Sequence, residues 1–242
     1  MLLEARGIVK QFGGFRAVNG ADFSLERGEI VGLIGPNGAG KSTFFNCLAG
    51  DLRPNAGRIV FDGHDLTTAS PEAHARRGLA RTWQVPAVFA EMAVRENVMV
   101  GAFLRHPHAH AARRKAEEVM EFTGLATQAD TRAGSLGTLG RKRLEIARAL
   151  ATEPTLLLLD EALAGLNSTE TATAIDLVRQ IHARGVTLII VEHVMSVILS
   201  LAQRAVVFNQ GHVIAAGTPQ RVIEDAAVIE AYLGKRFRRP AP

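Results

Sequence analysis

The residues with the clearest chemistry form one glycine-rich stretch, GPNGAGKST, which follows the apolar run EIVGLIG. Glycines let backbone N–H groups wrap an anion, and Lys41 can reach the β and γ oxygens of a triphosphate. The hydroxyl group of Ser42 can bind Mg²⁺. A strand, this loop and a following helix form the context that supports a phosphate-binding motif. We therefore predict a nucleoside triphosphate site made of Gly35, Pro36, Asn37, Gly38, Ala39, Gly40, Lys41, Ser42 and Thr43.

Two adjacent acids end a second apolar run, in TLLLLDEALAGL. Side chains alternate along a strand, so Asp160 and Glu161 at its end can point in different directions. We predict that Asp160 helps to bind Mg²⁺ and that Glu161 is the general base for an attacking water. A charged pair at the end of a buried strand is common in itself, so this prediction depends on the phosphate loop.

A third stretch, SLGTLGRKRLEIARALA, combines a glycine-punctuated loop with an unusual helix start. Arg141, Lys142 and Arg143 lie in its first turn, where the helix N-terminus already carries partial positive charge. Such cations are unfavourable unless something negative lies nearby, so they predict a negatively charged partner for this turn. A solvated basic turn that contacts no ligand is the alternative.

The chain around these residues alternates between apolar runs and helical patterns. TLLLLD and VTLIIVE are strand runs, and Asn167 caps the helix between them, with Glu170 three residues on. This order implies a right-handed parallel crossover, which predicts an α/β fold with helices on both faces of a parallel sheet. GRIVFDGHDL predicts a hairpin that turns at Asp62-Gly63. Residues 94 to 151 are more helical and more charged, which indicates an inserted helical lobe.

Composition sets broad limits on location and partners. The 242 residues are 47% hydrophobic, and a single cysteine excludes an internal disulfide. A lone thiol suits a reducing compartment, so we expect a cytoplasmic location, and we expect no signal peptide and no membrane span. A net charge of +4 suits several anionic partners, but one Trp and one Tyr leave no aromatic surface for stacking bases, so no nucleic-acid partner is expected. The basic tail, Lys235 to Arg239, is expected to be solvated rather than to bind lipid.

The phosphate loop and the Asp160–Glu161 pair resemble the ATP-binding cassette family, and the resemblance extends over nearly the whole chain. It implies ATP as the nucleotide and a phosphate-loop core on a parallel sheet, with a small antiparallel β subdomain and an inserted helical subdomain. The chain is then a single ATP-binding domain. The core and its antiparallel part would cover about 1–92 and 152–242, and the helical subdomain about 93–151.

The same resemblance assigns roles to further side chains. Gln84 in RTWQVPAVF matches the family glutamine that helps to hold the metal ion and water and couples the site to a membrane partner. His193 in IIVEHVM matches the histidine that contacts the γ-phosphate. Phe12 matches the aromatic residue that stacks on adenine, with Phe15 as a rival, and Asn167 stands where many relatives have aspartate at the dimer interface. The implied Mg²⁺ ligands are Ser42, Gln84 and Asp160.

In this family the loop LSGGQ and the helix behind it bind the γ-phosphate of ATP held by the opposite subunit of a head-to-tail dimer. The corresponding loop here is LGTLG, with Leu136, Gly137, Thr138 and Gly140 as the implied contacts. The resemblance implies that the basic turn after this loop faces a partner's phosphates. Aligned without gaps, Gly137 replaces the serine and Leu139 the second glycine, which removes a hydroxyl donor and crowds the backbone. If the alignment is shifted by one residue, Thr138 matches the serine and Gly140 matches the second glycine. Both alignments stay open. In a dimer with a different cassette, we expect the two sites to hydrolyse ATP at unequal rates.

Within this family, the chain resembles most specifically the ATP-binding subunit of branched-chain amino acid importers. The stretches that carry this resemblance are FGGFRAVNGADFSL, GLARTWQVPAVFAEMAVRENV and VIEAYLG. This implies an ATPase on the cytoplasmic face of the plasma (inner) membrane, in a homo- or heterodimer of cassettes. It would power separate permease subunits and act indirectly with a periplasmic or extracellular solute-binding protein. Importers of urea, short amides or other polar solutes are the alternative. A non-transport cassette normally shows a coiled coil or two fused cassettes, and a kinase or GTPase needs an acceptor site or guanine-reading loop. The sequence shows none of these.

Overall fold

The computed structural model describes residues 1–233, which form two compact units. The first contains Met1–His74 and the described residues from Thr187 onward, and the second contains Ala75–Val186. The predicted basic tail, Lys235 to Arg239, lies outside the described residues. The strands are β1 Leu3–Phe12, β2 Phe15–Leu25, β3 Ile30–Ile34, β4 Ala56–Phe61, β5 His64–Asp65, β6 Leu79–Arg81, β7 Leu156–Asp160, β8 Thr187–Val191, β9 Arg204–Asn209 and β10 His212–Gly217. The helices are α1 Lys41–Leu48, α2 Pro71–Arg76, α3 Val94–Ala102, α4 Ala109–Thr123, α5 Thr138–Leu150, α6 Ser168–Ala183, α7 Met195–Leu201, α8 Pro219–Glu224 and α9 Ala226–Leu233.

The first unit contains an antiparallel sheet with the strand order β2-β1-β4-β5. Phe12 on β1 is paired with Phe15 on β2, next to the two-glycine turn that joins the strands. The predicted hairpin is confirmed, because β4 pairs with β5 and Phe61 opposes His64 on either side of Asp62-Gly63. This sheet is the small antiparallel part that the family resemblance implies.

The first unit also holds the strands that lead to the phosphate loop. Their order is β10-β9-β3-β8, and β3 runs parallel to both β9 and β8. Every residue of β3 and β8 is buried, as their continuous apolar runs predict. Phe44 on α1 packs against the rings of Phe23 and Phe208, with centroid distances of 5.9 Å and 5.0 Å. This packing anchors the helix that begins where the phosphate loop ends.

The second unit contains the parallel strands β6 and β7 and the helices α3 to α6. β7 is buried throughout and ends at Asp160. Helices α3, α4 and α5 contribute to one hydrophobic cluster, in which Val98 and Leu144 are 0% exposed. The predicted cap of α6 is confirmed: the Asn167 side chain accepts a hydrogen bond from the Glu170 amide at 2.9 Å, and the Glu170 side chain accepts one from the Asn167 amide at 3.0 Å.

These elements confirm the predicted α/β class, with parallel strands, helices and a small antiparallel sheet. The charged segment is helical as expected, since α3 begins at Val94 and α5 ends at Leu150. The subdomain boundaries at residues 93 and 151 stay a prediction. Within residues 1–233, no helix is both long enough and apolar enough to cross a membrane.

Candidate nucleotide-binding site

The predicted phosphate loop lies in the first unit, between the end of β3 and the start of α1 at Lys41. The Lys41 side chain lies inside this turn, because its ammonium group donates to the carbonyl oxygens of Gly35 at 2.7 Å and Pro36 at 3.0 Å. The residue is only 7% exposed. The turn requires glycine at its start: Gly35 has φ 145°, and a Cβ there would lie 2.1 Å from the carbonyl oxygen of Phe208.

The loop offers the groups that a triphosphate needs. Asn37, Gly38 and Ser42 are exposed, whereas Ala39 between them is buried. A buried cation held by backbone carbonyls, with an exposed hydroxyl in the first turn of the following helix, suits an anionic ligand accompanied by Mg²⁺. The loop therefore fits ATP, and the roles of its individual residues stay predictions.

Asp160, the predicted metal ligand, ends β7 in the second unit and is 6% exposed. Its carboxylate accepts a hydrogen bond from the Arg81 guanidinium at 3.3 Å, and its amide donates to the Thr82 hydroxyl at 3.1 Å. Arg81 in turn stacks on Trp83, with its guanidinium carbon 4.0 Å from the ring centroid. Asp160 is thus placed by residues of the segment that leads into Gln84, and a carboxylate is a ligand that suits Mg²⁺.

Glu161, the predicted base, is held through both its side chain and its backbone. Its φ is 46°, a left-handed conformation that few residues other than glycine adopt. Gln84 donates to the Glu161 carboxylate at 2.8 Å through Nε2. The Glu161 carbonyl oxygen accepts hydrogen bonds from the Lys142 ammonium at 2.9 Å and from the Ala164 amide at 3.1 Å. The structure therefore brings together Gln84 and Glu161, which the sequence linked only through resemblance.

α5 begins three residues before Arg141, so the three cations lie at and after the end of its first turn, later in the helix than the sequence indicated. The Arg141 guanidinium donates to the carbonyl oxygens of Leu136 at 2.8 Å and Gly134 at 2.7 Å. Lys142 binds the carbonyl oxygen of Glu161. Backbone oxygens therefore supply negative partners for these two cations within the chain. The contact of these cations with a partner's phosphates stays a prediction.

The loop LGTLG leads directly into α5. Gly137 is the N-cap residue, with φ −67° and ψ 175°, and no side chain caps this helix. Thr138 is already the first helical residue. Gly140 lies in the first turn, where a Cβ would be 3.3 Å from the Cβ of Leu136. In the ungapped register, the position of the family serine is therefore the N-cap, and a glycine without a hydroxyl group occupies it.

Three predicted residues of the first unit have exposed side chains. Phe12 is 48% exposed and Phe15 is 65% exposed, so both rings are accessible for stacking on adenine. The Lys10 ammonium lies 5.2 Å from the centroid of the Phe12 ring. His193 follows β8 and is exposed, directly after the fully buried Glu192. The contact of His193 with a γ-phosphate stays a prediction.

Two residues that were not predicted from the sequence contact a site residue or the segment that carries Gln84. Arg81 binds Asp160, as described above. Glu145 on α5 is 3% exposed and accepts a hydrogen bond from the Ala87 amide at 3.2 Å, within the segment that follows Gln84. The sequence features that could have indicated Arg81 and Glu145 are a cation three residues before Gln84 and an acidic residue among the apolar residues of LEIARAL. Both resemble ordinary surface charges when only the sequence is considered.

Comparison with known proteins places these features in a family. Residues 18–164 match the ABC transporter family, and residues 212–238 match the branched-chain amino acid ATP-binding cassette transporter family. Over 97% of its length the chain is 38% identical to the high-affinity branched-chain amino acid transport ATP-binding proteins BraF of Pseudomonas aeruginosa and LivG of Escherichia coli K12, and the match spans 98% of each. It is 35% identical to the lipopolysaccharide export system ATP-binding protein LptB of Escherichia coli K12, over 98% of both chains.

Solved structures with a similar fold support the same family assignment. The crystal structure of a nucleotide-free ATP-binding cassette from an ABC transporter matches with a TM-score of 0.88 at 31% identity, over 97% of this chain and 99% of that chain. The α/β fold, the phosphate loop and the Asp160–Glu161 pair define a phosphate-loop ATPase. The chain belongs to the ABC transporter family, and it is an ATP-binding cassette. The resemblance drawn from the sequence motifs is thereby confirmed.

Proposed function

We propose that the chain binds and hydrolyses ATP to power the uptake of branched-chain amino acids through separate membrane permease subunits. The observation that carries this proposal is the match of residues 212–238 to branched-chain amino acid cassettes, since this segment lies outside residues 18–164, which match ABC transporters in general. The identity of 38% to BraF and LivG, compared with 35% to LptB, supports the same substrate class.

In this proposal, the first unit binds the nucleotide. The Lys41 ammonium and the loop amides bind the phosphates, because together they present a cation and several N–H donors to one anion. Phe12 stacks on adenine, with Phe15 as the alternative aromatic residue at the same turn. His193 contacts the γ-phosphate from the end of β8.

The second unit supplies the base for hydrolysis. Glu161 accepts the proton of the attacking water, and the 2.8 Å hydrogen bond from Gln84 orients its carboxylate. Ser42, Gln84 and Asp160 would hold Mg²⁺. When bound, the ion neutralises negative charge on the phosphate oxygens. The Arg81–Asp160 contact keeps this carboxylate placed at the end of β7.

The functional unit is a dimer of two copies or of this chain with a second ABC ATPase subunit. Loop residues 136–140 of each chain contact the nucleotide held by the other. ATP binding closes the dimer and hydrolysis releases it, and permease subunits convert this cycle into alternating access. The chain is then a peripheral protein on the cytoplasmic face of the membrane, with residues 93–151 as its helical subdomain. A solute-binding protein on the other side delivers the cargo.

Replacing Gly137 with serine tests the role of the divergent loop. A Cβ at Gly137 meets nothing within 4 Å, so a serine side chain fits there. A hydrogen bond from its hydroxyl group to a charged phosphate contributes about 1.5–3 kcal/mol. We expect Gly137→Ser to raise the ATPase rate of the assembled complex by roughly tenfold, since every 1.4 kcal/mol is about a factor of ten.

Gly137→Ala is the matched control, because alanine adds the Cβ without the hydroxyl group. Both variants are measured as steady-state ATP turnover in the complete complex with its permease. The proposed role of the loop is wrong if the serine variant is no faster than the alanine variant. Melting temperatures should change little, because a serine N-cap exceeds a glycine N-cap by only a few tenths of a kcal/mol.

Transport by a reconstituted complex tests the proposed cargo. The tagged chain is co-purified with its permease subunits and inserted into lipid vesicles that contain ATP and Mg²⁺, with the solute-binding protein outside. Accumulation of radiolabelled leucine, isoleucine or valine that requires ATP would support the proposal. Accumulation of urea or a short amide instead would assign the chain to the alternative importers. Extraction of lipopolysaccharide without solute uptake would contradict import.

A further inference from the structure

Helix α5 carries two buried charged residues of opposite sign, Lys142 and Glu145. They are 8% and 3% exposed, respectively. Residues three positions apart lie on the same face of a helix, so their side chains are neighbours. Buried charges cost free energy unless hydrogen bonds compensate them, and apolar residues would fill the same space without that cost. Their partners therefore indicate what this face of the helix does.

Lys142 contacts the backbone of Glu161. Its ammonium group donates to the Glu161 carbonyl oxygen at 2.9 Å. The second donor to this oxygen, the Ala164 amide at 3.1 Å, belongs to the same turn as Glu161. The left-handed φ of 46° costs about 1–3 kcal/mol and persists only where surrounding contacts determine it. Lys142 supplies such a contact from a separate element.

Glu145 contacts the segment that carries Gln84. Its carboxylate accepts a hydrogen bond from the Ala87 amide at 3.2 Å. Burial raises the pKa of Glu145, whereas hydrogen bonds from the backbone of Ala87 and Trp83 lower it. Trp83 and Ala87 lie on either side of Gln84 in the sequence, so Glu145 binds this segment both before and after the glutamine.

We propose that Lys142 and Glu145 are positioning residues for the Gln84–Glu161 pair. The proposal rests on the proposed ATPase function. Lys142 holds the backbone of Glu161, the base. Glu145 holds the segment that carries Gln84, whose side chain donates to the Glu161 carboxylate at 2.8 Å. One face of α5 thereby sets the direction of the base. The same helix begins at the loop that the proposed dimer uses to contact the opposite nucleotide.

Two substitutions test this proposal. Lys142→Met and Glu145→Met keep most of the length of each side chain but remove its charge and its hydrogen-bonding groups. We expect either change to lower kcat by about ten- to a hundredfold, since a misplacement of about 1 Å can cost that much. The KM for ATP and the affinity for a fluorescent ATP analogue should stay within about twofold, because neither residue is proposed to touch the nucleotide. Lys142→Arg keeps a charged donor and should restore most of kcat.

The pair Lys115 and Glu118 on α4 provides matched controls. It has the same residue types and spacing, and its ion pair measures 3.1 Å. Lys115→Met and Glu118→Met should keep the kcat of the unaltered chain. Hydrogen exchange gives a second readout: amides of residues 161–164 should exchange faster in Lys142→Met than in Lys115→Met. If Lys142→Met does not fold, Lys142→Gln replaces it with the same expectations.

The proposal is wrong if the α5 variants keep a kcat within about twofold of the α4 controls. It is also wrong if the α5 variants lose nucleotide binding together with kcat and Lys142→Arg restores neither quantity. That pattern would indicate a purely structural role. The proposed ATPase function is judged separately. It depends on turnover by the unaltered chain and on its loss when Glu161 is replaced, whatever the α5 variants do.

Discussion

Replacing Glu161 with glutamine is expected to lower the rate of ATP hydrolysis by about a hundredfold or more, since general bases contribute roughly 10²–10⁴ in rate. A neutral amide cannot accept the proton of the attacking water. The glutamine side chain has nearly the same size, and its amide oxygen can still accept the hydrogen bond that Gln84 makes to the carboxylate at 2.8 Å. The variant therefore keeps the hydrogen bond between residues 84 and 161 but lacks the general base.

The same variant should accumulate as an ATP-bound dimer, because hydrolysis is the step that releases the closed state. Light scattering of the purified chain, with and without ATP and Mg²⁺, measures the dimer, and phosphate release measures turnover. Glu121→Gln on α4 is the control, since that residue is exposed and should change neither quantity. A variant that stays monomeric with ATP and Mg²⁺, even alongside its partner cassette, would show that the sandwich mechanism does not apply.

The parts of the fold that the sequence predicted are those whose signals are local. β3, β7 and β8 are continuous apolar runs, and all three are buried strands. The Asp62-Gly63 hairpin and the Asn167 cap depend on turn and capping chemistry within a few residues, and both are present. The phosphate loop was recognisable because its glycines and Lys41 lie in one short stretch.

The contacts that place the base were not predictable in this way. Gln84 and Glu161 are 77 residues apart, and Lys142 and Glu161 are 19 apart, so each contact depends on the tertiary fold. A left-handed glutamate carries no sequence signal, because glycine and asparagine are the residues that favour that conformation. The start of α5 is a similar case. Its positive charge is visible in the sequence, whereas the backbone oxygens that bind Arg141 and Lys142 are visible only in the structure.

Replacing Lys41 with alanine or methionine is expected to weaken ATP binding by about a hundredfold or more. A hydrogen bond to a charged group contributes about 1.5–3 kcal/mol, and the ammonium group can make more than one of them to a triphosphate. Titration with a fluorescent ATP analogue measures the affinity. Arg27→Ala is the control, since it removes an exposed cation of the same unit that forms a 2.8 Å ion pair with Asp62.

The comparison of the two Lys41 variants separates the charge from the packing. Lys41 is 7% exposed and its ammonium group binds the carbonyl oxygens of Gly35 and Pro36, so alanine removes the buried stem as well as these contacts. Methionine keeps most of the stem and removes the ammonium group, with its charge and its hydrogen bonds. If the phosphates bind the ammonium group, both variants lose ATP affinity, and the salt dependence of binding decreases in both. If the Lys41→Met variant binds ATP as tightly as the unaltered chain does, the nucleotide is not held by this loop.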